Sequence, residues 1–155
     1  MNAPTPPVRD GVDQASSEPS LPDWYRAVPD SGLPTTLGIQ LLELSASRVV
    51  ATMPVDGRTR QPYGILHGGA SVALAETVAS LGALMNVDRE RQTVVGIEIN
   101  ANHIRAKTEG ELTATGTPIH VGRSTQVWDI RIVDEEGRPV CVSRCTLASV
   151  PKRGS

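Results

Sequence analysis

The chain has no phenylalanine, and its only rings are Trp24, Tyr25, Tyr63 and Trp128. Aliphatic side chains must therefore fill its core. Lys and Arg never run beyond two in succession and the formal net charge is −2, so the broad basic face used to bind nucleic acid is missing. No apolar stretch approaches the roughly 20 residues a membrane-spanning helix needs, and the N-terminus carries no apolar signal core. The expected location is the cytoplasm, with no membrane or nucleic-acid partner. Cysteine is scarce as well. Cys141 and Cys145 sit four apart in what reads as a strand, which separates their Cα atoms by roughly 13 Å and forbids a bond between them. His67, His103 and His120 are scattered, so no zinc-ligand spacing is present and no metal is expected. There is no G-x-G-x-x-G fingerprint, internal repeat or heptad, and no G-x-S-x-G elbow for a serine nucleophile.

At 155 residues with 39% hydrophobic content, the chain suits one globular domain with a real core. Residues 1–30 carry Pro4, Pro6, Pro7, Pro19, Pro22 and Pro29 among Ser, Asp and Glu, and read as a flexible leader ahead of a domain over 31–155. Within the leader, Leu21–Val28 could add a short turn of helix that docks on the domain. Strand signals begin at Gly38–Leu44 and Arg48–Met53, joined as a hairpin by Ser45-Ala46-Ser47. After a charged connector at Asp88–Arg91 come four more β runs, Thr93–Arg105, Glu111–Val121, Ser124–Val133 and Pro139–Ser149. Short polar or Gly-containing turns separate them, which makes each the antiparallel neighbour of the next.

Between the two sets of strands, the segment from about His67 to Met85 is rich in Ala and Leu and has no proline, so it is the one long helix. Leu74, Val78, Leu81 and Met85 form an apolar stripe to pack on a sheet. The order predicts an α+β fold in which a curved antiparallel sheet wraps one helix of roughly 28 Å.

The other helix face should carry several charges if it is wet, yet its only carboxylate is Glu76 and its other positions are Gly, Ala, Ser and Thr. That face is expected to be covered too, by another subunit. Gly68 and Gly69 leave the first turn unblocked, where free N–H groups and the positive end of the helix dipole can hold an oxyanion. Each feature has an ordinary reading as well: Gly-Gly as turn chemistry, a lone Glu as solvated surface, His67 as a cap. Their concurrence on one charge-poor helix marks the candidate site.

Gly64-Ile65-Leu66-His67-Gly68-Gly69-Ala70-Ser71 with Leu74-Ala75-Glu76, Asn100-Ala101-Asn102-His103 with Arg105, and Gly122-Arg123 before Gln126-Val127-Trp128 together carry a resemblance. From about Leu37 to Val150 the chain resembles the hotdog-fold acyl-CoA thioesterases, in the branch containing the Arthrobacter-type 4-hydroxybenzoyl-CoA thioesterase and 1,4-dihydroxy-2-naphthoyl-CoA hydrolase. The resemblance implies hydrolysis of an aromatic acyl-CoA to free acid and CoA. Coenzyme A is then part of the substrate, and no separate cofactor is needed. It also implies a homo-oligomer, a dimer of dimers, with active sites between subunits. By position, Glu76 would be nucleophile or general base, and the Gly68 N–H would polarise the thioester carbonyl. Gln61 would help place the substrate, His67 would support the loop, and Ser80 would position water or the carboxylate. Arg105, Arg123, Ser124 and Arg153 would contact the CoA nucleotide. Ile104 stands where the naphthoyl branch can carry a second His, a departure from that pattern. The rival readings are a hydratase on the same fold, which wants a His paired with an acid, a thioesterase for aliphatic acyl-CoA, and a non-catalytic acyl-CoA-binding module.

Overall fold

The computed structural model describes residues 21–152. The elements in chain order are α1 (Asp23–Arg26), α2 (Gly32–Leu37), β1 (Gln40–Leu44), β2 (Val49–Pro54), α3 (Gly68–Leu84), β3 (Gln92–His103), β4 (Glu111–Val121), β5 (Thr125–Val133) and β6 (Pro139–Pro151). All strand pairs are antiparallel, in the order β1-β2-β4-β5-β6-β3. The sheet curls around α3, which touches β2 through β6, so the expected α+β architecture is present. Among the described residues no helix is long and apolar enough to cross a membrane. Arg153 and most of the expected leader lie outside them.

Two expectations need correcting. First, β3 is not the neighbour of β4. It pairs with β6 and forms the sheet edge, from Gln92 opposite Pro151 to His103 opposite Cys141. The connector 104–110 crosses the open end of the sheet, where Leu66 N–H donates to Lys107 O at 2.7 Å and Val55 N–H to Gly110 O at 2.8 Å. Those backbone bonds replace the turn hydrogen bonds a hairpin would have made. Three strand spacings, about 14 Å, are within its reach of roughly 23 Å. Second, only Leu74 and Val78 of the expected stripe are fully buried. Ala70, Ser71, Leu74, Ala75, Val78, Ala79, Gly82 and Ala83 are buried, whereas Leu81 and Met85 are only partly so. Trp128 is the cause: fully buried, it lies so close that a Cβ on Gly82 would come 2.3 Å from its ring. The indole N–H donates to Gln126 Oε1 at 3.2 Å, and the Gln126 amide donates to Ala83 O at 3.0 Å. One Trp therefore does the space filling that several Phe would share in a richer core.

The sequence pattern also did not mark α2. It holds Gly32 and Pro34, and Pro34 sits in the first turn, where no intrahelical N–H is required. The helix stops at Gly38, which is left-handed at φ 71. Together, α1 and α2 lie over the outer face of α3.

Candidate active site

The loop entering α3 is pinned on several sides. Gly64 takes the positive φ of 80 needed for its turn, its N–H donates to Gln61 O at 2.9 Å, and His67 N–H donates to Thr59 O at 2.9 Å. His67 is the helix cap: its Nδ1 accepts the Gly69 N–H at 2.8 Å, which leaves the neutral ring's proton on Nε2. Ala70 N–H returns to His67 O at 3.0 Å. The Gly68 N–H is the one left over in this first turn, with no acceptor among the described residues. It opens on a cavity of about 260 Å³ also lined by Gln61, Ser71, His103 and Arg105. Ser71 is fully buried there, and its hydroxyl has no hydrogen-bond partner. His103, at the end of β3, roofs the helix start so closely that a Cβ on Gly68 would lie 2.7 Å from its Nε2. A side chain at 68 would have to push the His103 ring aside.

Glu76 lines a different and larger cavity, of about 850 Å³, together with Ser80 and Thr77. Its carboxylate is exposed and rests on β3, where a Cβ on Gly96 would meet Oε1 at 2.7 Å. A bulge follows at Gly96/Glu98, a device that re-aims strands beside sites. Below it lies Cys145. Burial, and then the Glu76 and Glu98 carboxylates, push its thiol up to about 12, so it stays protonated and unreactive at neutral pH. The Thr77 hydroxyl is occupied, donating to Ala73 O at 2.7 Å. Glu76 lies eight residues along the helix from Gly68, a rise of about 12 Å. The helix-start donor and the carboxylate thus open on different cavities of the chain.

The structure gathers Gln61, Gly68 and Arg105 at one cavity and Glu76 with Ser80 at the other. Arg123 and Ser124 join neither. They sit exposed in the β4–β5 turn, where Ser124 O accepts the Ser149 N–H at 3.0 Å. His103 and Arg105 are at the other end of the sheet, beside Cys141 and Val140, about 26 Å away along β6. Arg153 falls outside the described residues. Ser71 and His103 stand in motifs that carry the resemblance, but no role follows from the sequence for either; their convergence on the cavity of the Gly68 N–H gives them one. The large helix face expected to meet another subunit is walled, in this chain, by residues of the 21–35 segment.

Comparison with known proteins places the fold in a family. The model of the thioesterase superfamily matches residues 63–141. The Bacillus subtilis protein ComA2 is 56% identical over 116 residues, covering 75% of this chain and 92% of the relative. The 1,4-dihydroxy-2-naphthoyl-CoA hydrolase of Listeria monocytogenes is 46% identical over 122 residues, 79% of this chain and 98% of its own length. The crystal structure of a mutant of thioesterase PA1618 from Pseudomonas aeruginosa superposes with a TM-score of 0.80 at 42% identity, over 84% of this chain and 94% of that one. The chain belongs to the thioesterase superfamily, as a thioester hydrolase of hotdog fold.

Proposed function

We propose that the chain hydrolyses an aromatic acyl-CoA, of hydroxybenzoyl or dihydroxynaphthoyl type, to the free acid and CoA. The observation that carries this reading is the unpartnered Gly68 N–H at the start of α3, opening on a cavity it shares with Gln61 and Ser71. A helix-end donor of this kind polarises a thioester carbonyl and holds the oxyanion formed on attack. Glu76 either takes the proton of an attacking water or attacks the carbonyl carbon itself, forming an anhydride that water opens. In both routes the C–S bond breaks, the sulfur leaves as the CoA thiolate and takes up a proton, and one water is consumed. Gln61 orients the carbonyl, His67 holds the Gly68-Gly69 turn in shape, and Ser80 positions the water or the carboxylate. Arg105, Arg123, Ser124 and Arg153 serve the nucleotide phosphates, with Arg105 and the Arg123–Ser124 turn, about 26 Å apart within one chain, contributed by different protomers.

The 12 Å between Gly68 and Glu76 favours a reactive centre assembled from two protomers, with Glu76 of one facing Gly68 and Gln61 of the other. The β3 edge supplies a surface for such pairing. It is long, among the described residues its outer side has no strand beside it, and Val95 and Ile97 are 46% and 61% exposed on it; an edge of this kind pairs with another chain unless it is blocked. A dimer of such dimers completes the assembly. The size of the Glu76 cavity, about 850 Å³, also favours a second reading, in which the acyl group is aliphatic.

The test is steady-state hydrolysis of benzoyl-, 4-hydroxybenzoyl-, dihydroxynaphthoyl- and straight-chain acyl-CoA, followed with a thiol-reactive dye. The wild type should turn over an aryl-CoA with kcat/KM above about 10⁴ M⁻¹s⁻¹, and Glu76→Ala should lose roughly 100-fold or more. A straight-chain substrate winning the panel selects the second reading. Cleavage of no thioester, or an unimpaired Glu76→Ala, overturns both.

A further inference from the structure

The segment before β1 has no part in the chemistry above, yet it forms one wall of the cavity that holds Glu76. Tyr25 and Val28 of the α1 region and Leu33 of α2 face Val72, Ala73 and Leu81 of α3 across it. The helix side of the cavity runs from Gly69 to Leu81, about 18 Å along the axis. Its volume of about 850 Å³ is within the range of ligand-binding clefts and several times the bulk of a single benzoyl ring.

The wall is fixed at both ends. The Arg89 guanidinium, in the connector after α3, stacks 4.0 Å over the Trp24 ring, a cation–π contact, and Trp24 meets Tyr25 edge-on at 5.8 Å. At the far end, the Arg58 guanidinium, held by Asp56 at 2.6 Å, lies against Gly38. Between these anchors, Thr35 Oγ1 donates to Asp30 Oδ1 at 2.8 Å. Despite this anchoring, Val28 and Leu33 remain 52% and 60% exposed. Two apolar side chains held at the mouth of a cleft whose other wall carries the reactive carboxylate are placed to meet an apolar ligand.

The geometry points to the α1–α2 segment as the acyl-selecting wall of the enzyme: the acyl group lies between this segment and α3, and Leu33 and Val28 set how large an apolar acyl group, beyond a single ring, is accepted. This rests on the thioesterase reading for the identity of the ligand, because the acyl group of a thioester whose carbonyl carbon meets Glu76 must lie in the cavity Glu76 lines. Tyr25 lies within the same wall, its phenol kept protonated by burial and by the Asp30 carboxylate, and is placed to hydrogen-bond a hydroxyl on the acyl group.

The experiment compares wild type, Leu33→Trp and Leu33→Ala on acetyl-, benzoyl-, 1-naphthoyl- and dodecanoyl-CoA. Leu33 is mostly exposed, so neither variant disturbs the core. Leu33→Trp should lower kcat/KM for naphthoyl- and dodecanoyl-CoA by about 10-fold or more and leave acetyl-CoA unchanged, while Leu33→Ala should preserve or extend acceptance of the large groups. Calorimetric titration with the uncleavable thioethers S-dodecyl-CoA and S-ethyl-CoA gives a readout independent of turnover: Leu33→Trp should weaken only the dodecyl compound. If thioesters are cleaved but the profile and the dodecyl affinity are the same in all three proteins, the wall has no selecting role and the inference falls. If no thioester is cleaved but S-dodecyl-CoA binding depends on Leu33, the catalytic reading falls and the wall stands.

Discussion

Gly96 matters for the side chain it lacks. The Glu76 carboxylate occupies the space a Cβ would take, with Oε1 2.7 Å from that point. Gly96, beside the bulge, does not take a positive φ, so Gly96→Ala asks only that the end of one flexible side chain move. It should therefore leave the unfolding free energy within about 1 kcal/mol of wild type and lower kcat by about 10-fold or more, because a displacement of an ångström is enough to spoil a reacting geometry. Urea melts beside steady-state kinetics separate the two effects; a large loss of stability with normal kcat would contradict this placement of Glu76. At this scale the sequence was readable where composition broke its own pattern. A carboxylate alone on a face of Gly, Ala and Ser stood out, as did two glycines at a helix start. Ser71 and His103 carried no such contrast, because their meaning comes from β3 folding back over the first turn of α3.

Among the elements, α3 and Trp128 depend on each other. A methyl on Gly82 would come 2.3 Å from an indole that is fully buried and tied through Gln126 to Ala83 O. Gly82→Ala raises helix propensity by about 1 kcal/mol, but the overpacking should outweigh it and leave the protein destabilised by roughly 1–3 kcal/mol net in chemical denaturation. A stabilised variant would contradict the packing. The crossover from β3 to β4 has its own clasp in Glu135. Its carboxylate takes the Lys107 ammonium and accepts the Glu111 N–H at 2.6 Å. The Lys107 hydrogen bond, followed by the Glu111 N–H, lowers its pKa from the ordinary 4.5 to about 2. A pKa depressed by folding means stability contributed above the ordinary value and lost as pH falls through the folded one. Glu135→Gln should therefore melt below wild type at pH 7, with the gap closing between about pH 4.5 and 2; a gap that persists at pH 2 would contradict it. Strands β4, β5 and β6 were legible because each alternates between strong turn signals. In β5, Gln126, Trp128, Ile130 and Ile132 all point inward. The pairing of β3 was not legible, since a short connector looks like a hairpin until a curved sheet brings its two ends together.

For the molecule as a whole, one long helix inside a curled sheet carries Gly68 and Glu76 about 12 Å apart along its axis, each opening on its own cavity. The family and the α+β architecture were readable from several separated motifs in order. The division of the site between two cavities was not, because it depends on which side of α3 the pre-β1 segment covers. The proposed reactive centre joins Glu76 of one protomer to Gly68 and Gln61 of another. The most direct measurement is complementation between Glu76→Ala and Gln61→Ala chains, co-expressed with different tags and purified through both. In a mixed pair, one centre holds both lesions and the other holds neither. Acyl-CoA hydrolysis well above that of either parent is the result this account predicts. A mixed species no more active than the better parent would place the whole reaction within one chain and contradict it.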